Sequence, residues 1–167
     1  MDEDEAARRA RELFLDDRNH HGCAETAFIV LKEAFGLPAS GDPAAAMAFN
    51  GGIARSGGIC GAISGAAMVV GLLAGARIAD HGAAKRAARL VVARLVEDFE
   101  REHGAVDCRE LVGMDLRTEE QHAAFMESGI WRDRCMRQVE FSVRRLAPLA
   151  DEGAWTALLR ELEESAP

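Results

Sequence analysis

The chain has no tyrosine, an aromatic share of 5%, four prolines and four cysteines in 167 residues. With strand-forming residues so sparse, and alanine, leucine, glutamate and arginine filling the segments between glycines, an all-β or mixed fold is excluded in favour of an all-α one. Excess positive charge is also missing: 20 basic residues stand against 28 acidic ones, for a net charge of -8. The basic residues are interleaved with acidic ones, so no basic stripe offers itself to a phosphate backbone, and no nucleic-acid partner is expected. The start, MDEDEAARRARELF, has neither the positive charge nor the apolar core of a secretory signal, which predicts a cytoplasmic protein. There is no CxxC pair, no compact zinc cassette and no CxxCH for covalent haem. Repeats, linkers and low-complexity segments are likewise absent.

What the chain does have is a long run without charge. Residues Ile59 to Ala76 form 18 consecutive uncharged positions, and Gly61 with Gly65 and Gly71 with Gly75 match a small-xxx-small packing pattern. The run is mostly glycine and alanine, and Arg55 and Arg77 bracket it without an aromatic belt. These features predict a buried central helix rather than membrane insertion. At 49% hydrophobic residues the chain is long enough for one sizeable core and too short for two, so residues 1–167 are expected to form a single-domain helical bundle around that Gly/Ala-rich helix.

Cap and stop signals place the other helices. The first is expected from Asp4 to Leu15, and the second from Cys23 to Ala34, closed by Gly36 and Pro38. Asp42 and Pro43 open a short helix through AAAMAF. Asp80 caps an amphipathic helix through FEREH, ended by Gly104, with Leu90, Val91, Leu95 and Phe99 on its core face. Asp107 opens a short turn through CRELV, Thr118 and Gln121 form a capping box, and helices from about Ile130 and Gly153 complete the chain.

On this reading Cys23, Cys60 and Cys108 each fall in the first turn of a helix, where unpaired amides and the macrodipole favour a thiolate. Cys135, in RDRCMRQ, has Arg132 and Arg134 beside it in sequence to help electrostatically. A free cysteine taken singly is more often a small buried hydrophobe, but three helix starts among four cysteines favour reactive thiols. The spacing leaves open one four-thiolate site or two disulfides in any of three connectivities.

The order of one cysteine, then Cys60-Gly61-Ala62-Ile63-Ser64-Gly65, then two further single cysteines resembles the C_GCAxxG_C_C family, described as redox-active. The likeness runs from GCAETAF through FNGGIARSGGICGAISGAAMVVGL and DCRELVGMDL to RDRCMRQ. It implies that Cys23, Cys60, Cys108 and Cys135 are the signature cysteines. It also implies that an iron-sulfur-like cluster is compatible with them, because a related domain occurs in a multihaem cytochrome. The expected function is therefore thiol-based redox or electron transfer through four clustered cysteines. The alternative is a metal-binding module in which the same four residues hold zinc or an iron-sulfur cluster without turnover. A third reading is a helical interaction protein whose thiols merely pack. Expected partners are a redox protein or a small-molecule oxidant or reductant, with a homodimer also compatible.

Neighbouring residues divide between chemistry and scaffolding. His20 and His21 stand close enough in sequence to Cys23 to take its proton or supply a nitrogen, although a solvated loop before a helix is the plainer reading. Gly51, Gly52, Gly57 and Gly58 with Arg55 could form an anion nest, but they fit no Walker or dinucleotide fingerprint and read better as a tight turn bringing Cys60 to its partners. Gly61 and Gly65 read as a close-packing face. Met47, Met68 and Met114 read as core filler, and His81, His103 and His122 show no metal spacing.

Overall fold

The computed structural model describes residues 1–16, 18 and 20–165. The architecture is all-α. Among the described residues the sole β pairing is an isolated antiparallel bridge between Ile59 and Asp107.

Helix α1 (Glu3–Phe14) begins where the Asp2 carboxylate accepts the Glu5 N–H at 2.8 Å, and it buries Ala6, Ala7, Ala10 and Phe14 on one face. Helix α2 (Cys23–Ala34) is buried for nearly its whole length. Helix α3 (Gly61–Arg77) is the Gly/Ala-rich helix expected at the centre, and it packs against α2 and α4 (His81–His103). The short α5 (Cys108–Val112) and α6 (Glu119–Ser128) follow, then α7 (Met136–Leu146) and α8 (Glu152–Ser165). Helix α7 runs along α1 and also touches α2, α3 and α4, while α8 covers α4. Fully buried side chains such as Leu31, Ile63, Val91, Phe99 and Val139 form one continuous core between these helices. Each contributes about 1.5–3 kcal/mol of burial.

The expected caps are present: Asp80 accepts the Ala83 N–H, Gly104 closes α4 with φ +82°, and Thr118 and Gln121 make the reciprocal capping box. On α4 the core face is Val91, Leu95 and Phe99, with Leu90 only half-buried.

Four local expectations need correction. AAAMAF forms a 3-10 turn (Ala44–Phe49), with Ala46 N–H donating to the Pro43 carbonyl at 2.8 Å, and only Ala46 in it is buried. Met47 is accordingly 57% exposed rather than core filler. The helix expected from Ile130 begins as a π-helical turn (Trp131–Cys135), where Met136 N–H reaches back to the Trp131 carbonyl. Finally, Gly71 and Gly75 face open space, so the small-residue packing face is confined to Gly61 and Gly65. Among the described residues no helix is long and apolar enough to cross a membrane.

Candidate thiol site

The site is built where α2 and α3 cross. A Cβ on Gly65 would overlap the Ala24 carbonyl oxygen, and one on Gly61 would lie 2.5 Å from Cys23 Sγ. The two glycines therefore let α2 lie directly on α3, with the Cys23 sulfur against the first turn of α3. Cys60 is the N-cap of α3 and lies alongside, its thiol close enough to that of Cys23 for each to shift the other's pKa.

Backbone pairing adds the third cysteine. Around the Ile59–Asp107 bridge, Cys60 N–H donates to the Val106 carbonyl at 2.8 Å and Cys108 N–H to the Gly58 carbonyl at 2.7 Å. Cys108 thus begins α5 next to the start of α3. The end of the π-helical turn brings Cys135 to the same region. Cys23, Cys108 and Cys135 line a common cavity of about 380 Å³, whereas Cys60 is buried and is not among its lining residues. All four are free thiols.

Helix α2 is started in an unusual way. Its N-cap, Gly22, has no side chain to offer the exposed amides. Asn50, at the end of the 3-10 turn, substitutes for it: its Oδ1 accepts the Ala24 N–H at 2.9 Å. Asn50 Nδ2 donates to Glu25 Oε2 at 2.7 Å, and that same oxygen accepts the Gly22 N–H at 2.9 Å. A Cβ on residue 22 would overlap the Asn50 side chain, so glycine at 22 and asparagine at 50 require one another. Asn50 Oδ1 also lies 3.9 Å from Cys23 Sγ, within reach of a thiol donor.

From Asn50 the chain turns left-handed. Gly51, Gly52, Ile53, Ala54 and Arg55 all have positive φ, with Ile53 at 62°, Ala54 at 49° and Arg55 at 61°. The tight turn expected from the glycines is present, but it continues through three residues that have a Cβ. Its hydrogen bonds run from Ala54 N–H to the Ala48 carbonyl (2.8 Å), Arg55 N–H to the Asn50 carbonyl (3.2 Å) and Gly57 N–H to the Gly51 carbonyl (3.0 Å). The turn directs the Gly51 backbone toward Cys23 and sets Arg55 at the cavity wall.

The electrostatics separate the four thiols. The hydrogen bond from Cys60 pulls Cys23 down to about 7 from the ordinary 9.0; burial opposes it, and the N–H groups of Gly51, Ala24 and Cys23 add to it. Cys60, the donor to that sulfur, is pushed well up by the same hydrogen bond, by burial and by the Cys23 charge. Burial raises Cys108 to about 12, with the Cys23 and Asp107 charges adding to it. Burial also raises Cys135, helped by Cys23 and Cys108, and Arg134 only partly counters it. Of the three cysteines expected to be favoured as thiolates by helix starts, Cys23 alone has a lowered pKa, and the first cause there is the Cys60 side chain rather than the helix start. Desolvation outweighs the dipole of the five-residue α5, and Cys60 cannot be an anion while it donates to one.

His20 and His122 both line the cavity, whereas His21 does not. Asn50, Glu25 and Gln138 were not anticipated from the sequence. Gln138 is buried, and its Oε1 accepts the Cys60 S–H at 3.6 Å. The absence of an oxygen-bearing side chain at position 22 is the sequence signal that the cap comes from elsewhere.

Among the described residues no group of three or more His, Cys, Asp or Glu side chains is arranged to hold a metal ion. The zinc or iron-sulfur site that the sequence admitted for Cys23, Cys60, Cys108 and Cys135 is therefore not shown by this arrangement.

Neither the curated proteins nor the solved structures contain a match to the chain. One family model, described as "putative redox-active protein (C_GCAxxG_C_C)", matches residues 21–149, a span that contains all four cysteines and every element of the site. The chain belongs to the C_GCAxxG_C_C family of redox-active proteins.

Proposed function

We propose that the protein is a dithiol oxidoreductase in which Cys23 attacks and Cys60 resolves. The observation that carries this reading is the asymmetric pair: Cys23 faces a cavity with its sulfur against the first turn of α3, and Cys60, the buried N-cap of that helix, lowers the Cys23 pKa while its own is raised. The Cys23 thiolate attacks one sulfur of a substrate disulfide, forming a mixed disulfide and expelling the other sulfur as a thiolate. Cys60 then loses its proton and attacks Cys23 Sγ, closing the Cys23–Cys60 disulfide and releasing the second substrate thiol. Two protein thiols are oxidised and one substrate disulfide is reduced, with the Cys60 proton leaving on a product thiol. Run backwards, the same steps oxidise two thiols.

Gln138 supports the second step by holding the Cys60 thiol. Cys108 and Cys135, raised by burial, stay protonated during the exchange and form the cavity wall. Stabilisation of the reduced Cys23 thiolate makes the disulfide readily reducible. A redox titration followed by mass analysis of the wild type, Cys23→Ser and Cys60→Ser tests this. The expected result is one reversible disulfide linking positions 23 and 60 in the wild type and none in either variant. Cycling confined to Cys108 and Cys135, or no cycling at all, rejects the assignment.

A further inference from the structure

The cavity in front of Cys23 has a charge arrangement that thiol exchange alone does not require. Its walls are largely apolar, with Phe14, Leu116, Phe125 and Trp131 among them, and Phe14 meets Trp131 edge to face at 5.7 Å between ring centres. At about 380 Å³ it is near the lower end of the range for small-molecule sites. The Glu25 carboxylate at its edge is already engaged by Asn50 and Gly22. Arg55 is the one Arg or Lys among the described residues lining the cavity. Its Nη1 donates to Glu119 Oε1 at 2.9 Å, but the Glu119 side chain is 87% exposed. Such a pair exchanges with solvent and contributes about 0–1 kcal/mol. Nε and Nη2 of Arg55 have no acceptor among the described residues. His122 stands nearby, its pKa lowered by burial and then by the Arg55 charge, so near neutrality it is an uncharged imidazole.

We infer that this cavity binds small disulfides bearing a carboxylate, with Arg55 as the residue that selects the anion. The inference rests on the dithiol reading above and names its substrate class. The carboxylate displaces the exposed Glu119 from Arg55, or takes the remaining face of the guanidinium, while the body of the molecule lies against Trp131 and Phe125. The exchange is Cys23–S⁻ plus Cys60–SH plus RSSR giving the Cys23–Cys60 disulfide, RS⁻ and RSH. Electrons pass from the two protein sulfurs to the substrate sulfurs, and the proton comes from Cys60. Arg55 takes no part in the electron transfer. A strained, left-handed backbone at Arg55 is the local cost of holding a cation at this wall.

The test uses the full-length reduced protein and three aliphatic disulfides of similar size: dithiodipropionate (anionic), hydroxyethyl disulfide (neutral) and cystamine (cationic). Mixed-disulfide formation at Cys23 is followed by rapid quench and mass analysis, and each rate is divided by that of a simple thiol with the same reagent. The normalised rate for dithiodipropionate should exceed that for cystamine by about 10-fold or more, as expected for one charge-assisted contact, and the ratio should shrink with added salt. Arg55→Gln should abolish the preference, whereas Arg55→Lys should retain part of it. Wild type with no charge preference, or Arg55→Gln that keeps it, overturns the anion site while leaving the dithiol reading intact, because the neutral reagent still reports on Cys23. If Cys23 reacts with all three no faster than a simple thiol, the dithiol reading fails and this inference falls with it.

Discussion

Gly22 and Asn50 form a split helix cap, and the arrangement predicts a specific non-additivity. Asn50→Ala removes the acceptor for the Ala24 N–H, a capping loss of about 1 kcal/mol. It also strips the buried Glu25 carboxylate of its 2.7 Å donor, which costs a further ~1.5–3 kcal/mol. The single variant should therefore lose about 2–4 kcal/mol, a large part of an ordinary domain's stability. Gly22→Ser should also destabilise, by ~1–3 kcal/mol, because its Cβ overlaps the Asn50 side chain. In the double variant that overlap is gone. The backbone at position 22 has a φ of -77°, which any residue adopts, so the introduced hydroxyl can accept the Glu25 N–H. Glu25 meanwhile continues to accept the backbone N–H of position 22, completing a Ser-x-x-Glu capping box. Urea unfolding of the four proteins should give a coupling of about 1–3 kcal/mol in favour of the double variant. Strict additivity of the two losses refutes the split cap.

Two further outcomes follow from the electrostatics. Cys60→Ala removes the main donor to the Cys23 sulfur, so Cys23 should return toward 9.0, and its alkylation rate at pH 7 should fall by about 50-fold as the thiolate fraction drops; an unchanged rate contradicts the hydrogen bond. Asp98 is 5% exposed among Arg94, Arg101 and Arg145: burial pushes its pKa up, but the bonds from Arg145 and Arg101 and the Arg145 and Arg94 charges outweigh it and leave the pKa lowered. A lowered acid contributes stability above its ordinary pKa and loses it as pH falls through the folded value. Asp98→Ala should therefore cost about 2 kcal/mol at pH 7, with the difference from wild type shrinking toward pH 3 in thermal melts; a constant difference rejects the assignment.

The ends of the helices were legible because their signals are local. Asp80, Gly104, Thr118 and Gln121 act on residues within one turn of themselves, and the sequence spacing carries the whole cause. The small face at Gly61 and Gly65 was legible for a related reason, since glycine at that spacing has few other uses in a helix. Gly71 and Gly75 share the spacing and pack against nothing, because which side of α3 is covered is decided by α2, α4 and α7 rather than by α3 itself. The thiol ordering was hidden for the same physical reason. A helix start lowers a pKa modestly, whereas burial and a neighbouring sulfur shift it strongly in either direction, and both are properties of the assembled core. Glu25 reads as an ordinary third-position acid, and Asn50 as the start of a glycine-rich loop, until the fold sets them side by side.

The left-handed turn was the least legible feature, because Ile53, Ala54 and Arg55 argue against the conformation they adopt. A residue with a Cβ in this region costs about 1–2 kcal/mol, so three together consume a share of stability comparable to the split cap. The surrounding bonds hold the turn in place: Gly57 N–H and Gly58 N–H reach back to the Gly51 and Gly52 carbonyls, and Arg109 Nη2 donates to the Ser56 carbonyl at 2.9 Å. If the strain is real, glycine should relieve it. Ala54 at φ 49° is the place to ask, being exposed and having a side chain of one carbon. Ala54→Gly removes the ~1–2 kcal/mol steric term and adds about 0.5–1 kcal/mol of chain entropy lost on folding, for a net gain of up to ~1.5 kcal/mol. The same change in a right-handed helix costs stability, so the sign alone decides. Ala87, buried within α4, serves as the right-handed control, and its glycine variant should be destabilised. A midpoint in urea that rises for Ala54→Gly and falls for Ala87→Gly supports the turn; a fall in both means that residue 54 is not held left-handed in solution, and the route by which Gly51 and Arg55 reach the cavity would have to be abandoned.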